Sequence, residues 1–293
     1  MADARRKLFD AREKRVHPGS DEKVLTSWNG RMLAAFAEAA RALNRDDYRR
    51  VAEHSAKFLL CELRQENGRL LRTWKQGKAK LDGYLEDYAC FIEGLLELHQ
   101  TTFEPRWFVA AQELADTMLE HFADSQGTLY DTSDDHEALI TRPRDLQDNA
   151  MPSGNARAIT ALLKLAGLTN EVRSVDIALE VLAQMESMMA QYPMGFGQWL
   201  QAQGYALSRP REIAIVGDPD SVDTQALLRI AREGYRPFQV VALGAPDPDK
   251  PAFPLLQGRG LVDGQAAAYV CQAFTCQAPV TEPAKLHGQL APR

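Results

Sequence analysis

The sequence GRLLRT at residues 68–73 returns as GTLYDT at residues 127–132, a shift of 59 positions. In each copy, a glycine turn precedes a short segment that we predict to be extended. The same shift places Tyr48 on Trp107, so the preceding helical segments also correspond. A repeat of this length is one supersecondary unit that buries its apolar face only by stacking on its neighbours. The pattern therefore predicts a ring or solenoid of helical hairpins.

Amphipathic helices are predicted on both sides of each copy of this motif. Apolar residues recur there at the three-and-four spacing of a helical stripe. The predicted helices begin near Trp28, Tyr48, Leu85, Trp107, Ala156 and Val172. We expect Gly167 to end the fifth helix as its C-cap. A closed ring of six hairpins would need roughly 350 residues at this period. Three hairpins ending near Tyr192 therefore predict either part of a ring or an open array.

The pattern changes after Tyr192, where a short helical stretch at residues 196–207 precedes the tail. EIAIV at residues 212–216 and FQVVAL at 238–243 are compact apolar runs separated by a helical segment. Such a unit is normally a right-handed crossover, so we expect the two strands to be adjacent and parallel. We expect AAYVCQ at residues 267–272 to complete the sheet. Because the first two runs lack polar alternation, both faces of the sheet must be covered. We expect the hairpins to cover one face, through Val175, Leu179 and Leu182.

The predicted fold class is therefore mainly α, with hairpins of the toroid type and a small C-terminal α/β sheet. We divide the chain into an N-terminal linker segment (1–24), helical hairpins of a partial toroid (25–208) and an α/β tail packed on them (209–293).

Composition excludes several functional classes. The 293 residues include 34 basic and 40 acidic side chains, and the net charge of −6 argues against a nucleic-acid partner. No apolar run approaches the roughly 20 residues of a membrane span, so no membrane partner is expected. The charged start MADARRKLFDAREKR is unlike a secretory signal, so we expect a cytoplasmic protein.

Four cysteines are too few for a disulfide scaffold. We expect Cys271 and Cys276 to be buried thiols without a redox role, and Cys61 and Cys90 to lie in the core. The six histidines are scattered without metal-ligand spacing, so neither a metal nor another cofactor is expected.

Four segments resemble a known family. They are SDEKVLTSWNG (20–30), GYLEDYA (83–89), RPRDLQDNAMPSGN (142–155) and AYVCQAFTCQAPV (268–280). In this order, they resemble the thioredoxin-domain-containing family of spermatogenesis-associated protein 20 and its bacterial relatives. Ala156 departs from the family pattern, in which serine usually follows PSGN.

The resemblance implies an N-terminal thioredoxin-like domain followed by an (α/α)6 toroid of the six-hairpin glycosidase type. This chain would correspond to the second half of the toroid and the tail. The first half of the ring, in the same full-length chain, would then be its packing partner.

Candidate site residues come from the loops and helix starts where toroids of this type commonly hold a ligand. Asp87 and Asp148 are the candidate catalytic pair, because both precede inner helices and flank the same rim. In glycoside hydrolysis, one carboxylic acid protonates the leaving oxygen, and a second activates water or attacks. Further polar and aromatic groups suit a sugar-like ligand. These ligand-binding candidates are Trp28, Asn29, Glu86, Tyr88, Arg142, Arg144, Ser153 and Asn155. We expect Asp87, Asp148 and Trp28 to line one concave pocket.

Each candidate also has a structural explanation. The helix dipole stabilises Asp87 in a first turn, Asp148 or Ser153 is suited to cap a helix, and Trp28 is suited to a core. The alternative function is therefore a non-catalytic scaffold that supports a thioredoxin-like domain and binds a partner.

Overall fold

The computed structural model describes residues 1–125, 127–137, 140–169, 171–245, 253–272 and 275–291. The helices are α1 (Ala2–Glu13), α2 (Thr26–Leu43), α3 (Asp46–Glu62), α4 (Leu85–Thr102), α5 (Pro105–Phe122), α6 (Gly154–Thr169), α7 (Val172–Gln191), α8 (Gly197–Leu207), α9 (Val222–Arg232) and α10 (Pro283–Leu290). The strands are β1 (Val24–Leu25), β2 (Leu71–Lys75), β3 (Lys78–Asp82), β4 (Arg211–Val216), β5 (Gln239–Gly244), β6 (Ala267–Gln272) and β7 (Thr275–Cys276). The predicted fold class is confirmed. None of the helices in these ranges is long and apolar enough to cross a membrane.

Helices α2 to α7 form the three predicted hairpins. Helix α4 packs between α2 and α6, and α6 also contacts α8, so these four helices form an inner row. Helices α3, α5 and α7 each pack outside their hairpin partners. Because α4 is enclosed, nearly every residue from Leu85 to Gln100 is buried. The inner row therefore places the starts of α4 and α6 side by side.

The repeat is visible in backbone geometry. Gly68 and Gly127 have positive φ angles of 84° and 77°, which glycine adopts without steric cost. The Gly68 N–H donates to Gln65 O and the Gly127 N–H to Asp124 O, at 2.9 and 3.0 Å. The repeat prediction is confirmed. In the first copy, the chain continues through β2 into an antiparallel hairpin with β3, which the sequence did not predict. In the second copy, the described residues form a loop leading to α6.

Close contact between α2 and α4 depends on two glycines. A Cβ on Gly94 would lie 2.6 Å from the Gly30 carbonyl oxygen, and a Cβ on Gly30 would lie 2.7 Å from the Cys90 carbonyl carbon. Neither position has room for a side chain. Gly167 has a related role, because a Cβ there would lie 3.1 Å from Val240 Cγ2 in the tail. The expectation that Gly167 ends its helix is wrong, because α6 continues to Thr169.

The tail is a four-stranded sheet of order β5-β4-β6-β7. As predicted, β4 and β5 are parallel neighbours, and β6 joins the other edge of β4 in antiparallel pairing. Alternate residues cover opposite faces: Ala214 and Val240 belong to the main core with the inner helices. Ile213 and Val241 belong to a second core with α9 and α10.

The helical support of the sheet differs from the prediction. The sheet packs on α6 and the end of α4, where Gln100 Oε1 accepts a hydrogen bond from the Val241 N–H at 3.0 Å. The predicted contact through Val175, Leu179 and Leu182 of α7 is wrong, and Leu179 is 47% exposed. The reason is that α7 belongs to the outer layer, whereas the sheet is in contact with the inner row.

The cysteines also differ from the prediction. Cys271 and Cys276 are directly opposite in the β6–β7 pair and form a disulfide, so the expectation of two thiols is wrong. The two cysteines are five residues apart in sequence, and the antiparallel pairing of β6 with β7 places them side by side. Cys90 is buried as expected, but Cys61 is exposed rather than in the core.

Candidate functional site

A cleft of about 410 Å³ lies at the starts of α4 and α6. These helix ends are close, since a Cβ on Gly154 would lie 3.1 Å from Glu86 Cβ. Most of the lining residues are of polar types, and they include carboxylates, aromatic rings and a serine. The lining side chains that can bind a ligand or take part in catalysis are Tyr84, Glu86, Asp131, His136, Glu137, Asp145 and Ser153. Two of the predicted site residues, Glu86 and Ser153, therefore line the same cleft.

Asp131 connects the two helix starts. Its Oδ2 accepts a hydrogen bond from the Asp145 N–H at 2.6 Å, and its Oδ1 accepts one from Asn155 Nδ2 at 3.0 Å. Its backbone carbonyl accepts a third from the Leu85 N–H at 2.9 Å. Both the main chain and the carboxylate of Asp131 are therefore held in position beside the cleft.

The environment of Asp131 disfavours its charged form. Burial raises the pKa of Asp131 from its ordinary value of 3.8 to about 6, and the charges of Asp145 and Glu86 act in the same direction. The Asp145 N–H and Arg144 oppose this shift without cancelling it. A carboxyl group with a pKa close to the working pH can both donate and accept a proton. Asp131 is therefore the candidate acid–base group of the cleft.

Glu86 is held by Arg72 from the first copy of the repeat. Arg72 Nη2 donates to Glu86 Oε1 at 2.8 Å, and its guanidinium carbon lies 4.4 Å from the centroid of the Tyr84 ring. Both charged side chains are about one-quarter exposed, so Glu86 is accessible from the cleft. The arginine thus orients one carboxylate and one aromatic ring of the site.

Asp87 lies beneath the cleft and is 0% exposed. Its Oδ1 accepts from the Ser27 N–H, and its Oδ2 accepts from the Tyr84 N–H and from Arg72 Nη1, at 2.9, 2.9 and 3.1 Å. It thereby forms the capping box of α4. Burial raises the pKa of Asp87 to about 6, although Arg72 and the two N–H donors lower it. These contacts belong to a residue that positions the start of α4.

Asp148 joins the starts of α6 and α8. Its two carboxylate oxygens accept hydrogen bonds from the Ser153 and Gln198 N–H groups, at 2.8 and 2.7 Å. Ser153 in turn donates from Oγ to the Asp145 carbonyl at 2.9 Å. Asp148 does not line the cleft, and its contacts are those of a cap between two helices.

The remaining aromatic candidates and Asn29 lie outside the cleft. Trp28 is 57% exposed. Tyr88 is fully buried, and its hydroxyl oxygen accepts a hydrogen bond from the Leu70 N–H at 2.8 Å. Asn29 Nδ2 donates to Leu25 O at 2.8 Å and lines a separate groove between α2 and α3. The structure therefore does not bring Asp87, Asp148 and Trp28 into one pocket, and that prediction is wrong.

The predicted basic and amide residues hold the loop that forms the outer wall. Arg142 donates to the Thr132 and His121 carbonyl oxygens, and Arg144 donates from Nε to Leu129 O. Asn155 is fully buried and reaches Asp131. Asp131, Tyr84 and His136 were not among the predicted site residues. The repeat contained a signal for Asp131, because it occupies the position in GTLYDT that Arg72 occupies in GRLLRT.

A possible cation-binding group lies near this loop. Ligand atoms of His121, Asp134 and Asp135 lie within 4.8 Å of one another. His121 Nδ1 is 3.0 Å from Asp134 Oδ1, and Arg69 binds both oxygens of Asp135 at 3.0 Å. A hydrogen bond and the Arg69–Asp135 ion pair therefore account for the arrangement of this group.

Comparison with known proteins identifies homologues. The chain is 33% identical to human spermatogenesis-associated protein 20, over 98% of this chain and 38% of that protein. The rat protein of the same name is 32% identical, over 96% of this chain and 37% of its own length. The resemblance predicted from the four segments is confirmed, and the chain spans about two fifths of the length of these curated relatives. No protein-family model matches the chain.

Similar solved structures include three carbohydrate-active enzymes. Cellobiose 2-epimerase from Bacillus thermoamylovorans has a TM-score of 0.49 at 14% identity, over 57% of this chain and 45% of that one. The GH76 α-mannanase of Bacteroides thetaiotaomicron has a TM-score of 0.47 at 20% identity, over 58% and 47%. Unsaturated glucuronyl hydrolase from Bacillus sp. GL1 has a TM-score of 0.46 at 16% identity, over 59% and 50%. Each likeness covers little more than half of the chain.

Proposed function

We propose that the cleft at the starts of α4 and α6 binds a sugar-like ligand and hydrolyses a glycosidic bond. The observation that carries this proposal is that two carboxyl groups, Glu86 and Asp131, line one cleft. Burial raises the pKa of Asp131 there to about 6. Glycoside hydrolysis needs one carboxylic acid that keeps its proton and one carboxylate that acts as base or nucleophile. The environment of Asp131 suits the first role, and Glu86 is the candidate for the second.

The proposed reaction assigns a step to each group. Asp131 donates its proton to the leaving glycosidic oxygen, while Glu86 either activates water or attacks the anomeric carbon. Arg72 keeps Glu86 in place, and Asp87 positions Arg72 and the start of α4. Tyr84 offers an aromatic face, and His136 Nδ1 is buried without a hydrogen-bond partner among the described residues. That nitrogen is available to a ligand hydroxyl.

A non-catalytic scaffold is the second candidate function. It is favoured by one observation: Asp87 and Asp148, the two carboxylates expected from sequence to be catalytic, both accept backbone hydrogen bonds that join helix starts. In this function, the cleft would bind a polar partner without turnover.

Ligand binding and turnover can be separated by one set of variants. Wild type, Asp131→Asn and Glu86→Gln would be titrated with a panel of oligosaccharides by calorimetry, and product release would be followed by chromatography. The control is Glu180→Gln, which removes an exposed carboxylate from α7. We expect Asp131→Asn to lower turnover by about 100-fold or more while binding persists, and the control to keep full turnover. Binding without turnover in wild type would support the scaffold. Absence of binding to the whole panel would overturn the sugar-site proposal.

A further inference from the structure

A second cavity lies near the opposite end of α4. Glu86 begins the helix beside the cleft, whereas Gln100, in its last turn, lines this second cavity of about 680 Å³. Its walls come from the inner helices α2, α4, α6 and α8 and from the segment that joins α9 to β5. We call it the tail-side cavity. Its volume is in the range of sites that hold small metabolites.

The carboxylates deep in the tail-side cavity are already neutralised. Glu97 is paired with Arg41 and with Lys164, whose Nζ lies 2.9 Å from it. Glu93 is paired with Arg157 and, at 3.0 Å, with Lys164. Burial raises the pKa of Glu97, but Lys164 and Arg41 outweigh it and lower the pKa to about 2. Three cations thus face two carboxylates, so this buried network has no spare negative charge. The lining includes one further carboxylate, Glu38, which is exposed.

The wall formed by the tail adds positive charge. Arg232 Nη2 donates to the Gln100 and Thr101 carbonyl oxygens at 2.8 and 3.1 Å. Within the described part of the chain, Arg232 has no carboxylate partner, and its Nε is buried without a hydrogen bond. Burial and then the charge of Arg41 lower the pKa of Arg232 to about 10. Arg236 lines the same wall, and burial followed by the charge of Arg211 lowers its pKa, while the charge of Glu233 opposes this shift.

A buried phenol provides an independent indication of a ligand. Tyr205 lines the tail-side cavity and is 3% exposed, yet its hydroxyl has no hydrogen-bond partner among the described residues. A buried hydroxyl without a hydrogen-bond partner destabilises the fold unless a bound molecule supplies that partner. Tyr235 and Phe238 lie on the same lining and are 88% and 37% exposed, so aromatic surface is available there.

We propose that the tail-side cavity binds a small organic anion, a carboxylate or phosphate ester on a sugar-sized body. Arg232 and Arg236 supply positive charge, since neither forms an ion pair with a carboxylate among the described residues, and the Tyr205 hydroxyl donates a hydrogen bond. Guanidinium groups suit both kinds of anion because their planar donors match the oxygens of either. This proposal is independent of the glycosidase proposal, because the two sites lie toward opposite ends of α4.

Three ligands that share one ring would test the charge requirement. Calorimetry would compare glucose 6-phosphate, glucuronate and glucose, at low and at 0.5 M salt. We expect at least one of the two anions to bind at least tenfold more tightly than glucose, and this preference to fall at high salt. The anion that binds more tightly identifies the preferred charged group, either phosphate or carboxylate. Failure of both anions to bind more tightly than glucose would overturn the proposal.

Matched variants locate the binding. Arg236→Gln should weaken anion binding about tenfold, whereas Arg229→Gln, which removes an exposed arginine from α9, should leave it within twofold. Tyr205→Phe removes only an unpartnered hydroxyl, so it should fold normally and still weaken binding. The cleft variant Asp131→Asn should have no effect on anion affinity. Equal losses in Arg229→Gln and Arg236→Gln, unchanged binding in Tyr205→Phe, or loss of binding in Asp131→Asn would each overturn the assignment.

Discussion

Arg72 and Asp131 occupy equivalent positions of the 59-residue repeat but carry opposite charges. Arg72 binds Glu86 and Asp87 at the start of α4, and Asp131 binds Asn155 near the start of α6. In both copies of the repeat, the residue at this position therefore contacts the start of an inner helix. In one copy, it supplies a cation that holds two carboxylates, and in the other it supplies the candidate acid. The cleft lies where the two copies meet.

The pH dependence of stability should reveal the raised pKa of Asp131. Its pKa is about 6 in the folded chain and 3.8 ordinarily, so between these values the folded state holds a proton that the unfolded state has lost. The contribution of this retained proton to the free energy of unfolding is fully present below pH 4 and is lost as the pH rises through 6. Asp131→Asn cannot titrate, so its melting temperature relative to wild type should increase from pH 4 to pH 7.

Between pH 4 and pH 7, the difference in the free energy of unfolding between Asp131→Asn and wild type should change by about 1–2 kcal/mol. This figure includes a reduction for the solvent exposure of Asp131. Thermal unfolding monitored by circular dichroism measures it. Glu180→Gln, on the exposed face of α7, serves as the control. Parallel profiles for Asp131→Asn and wild type would show that the pKa is not raised.

Neighbouring carboxylates at the start of α4 should differ in their contribution to stability. Asp87→Ala removes a fully buried acceptor of three hydrogen bonds and leaves the buried donors unpaired, so it should cost about 3 kcal/mol or more. Glu86→Gln removes one partly exposed ion pair and should cost about 1 kcal/mol or less. Urea denaturation of the two variants provides the comparison. Similar losses would contradict the structural role of Asp87.

The glycine contact between α2 and α4 should not tolerate a methyl group. Gly94→Ala would place a Cβ 2.6 Å from the Gly30 carbonyl oxygen, so we expect a loss of about 2–3 kcal/mol. Gly288→Ala in α10 is the matched control, because a Cβ there meets nothing within 4 Å. It should stabilise the chain by about 0.5–1 kcal/mol through helix propensity. Chemical denaturation measures both changes, and a neutral Gly94→Ala would rule out the close approach.

The four cysteines should fall into three classes of reactivity. Cys61 is exposed and should react with a maleimide in the native state. Burial raises the pKa of Cys90 to about 12, so that thiol should react only on unfolding. Cys271 and Cys276 should require a reductant first. Mass spectrometry of the labelled peptides distinguishes the classes, with Cys61→Ser as the control. Native labelling of Cys271 without reductant would contradict the disulfide.

Local sequence spacing was sufficient for helices α2 to α7, the repeat and the parallel pair in the tail, whereas α1 lies in the segment that we predicted to be a linker. Apolar periodicity and the glycine positions act within a few residues, so the helix starting near Trp28 and the turn at Gly68 follow from nearby chemistry. Likewise, the uninterrupted apolar runs of β4 and β5 indicated a sheet covered on both faces. These features depend on short stretches of chain and little on what packs against them.

The site depended on contacts between distant segments. Glu86 and Asp87 are adjacent in sequence, but a residue step of about 100° around a helix directs one to the cleft and the other to the core. Cys271 and Cys276 became partners through strand register, and Asp131 acquired its raised pKa from burial and from Asp145 and Glu86. Tertiary packing decided these properties because exposure, charge environment and pairing depend on which segments meet in space, information that no local spacing contains.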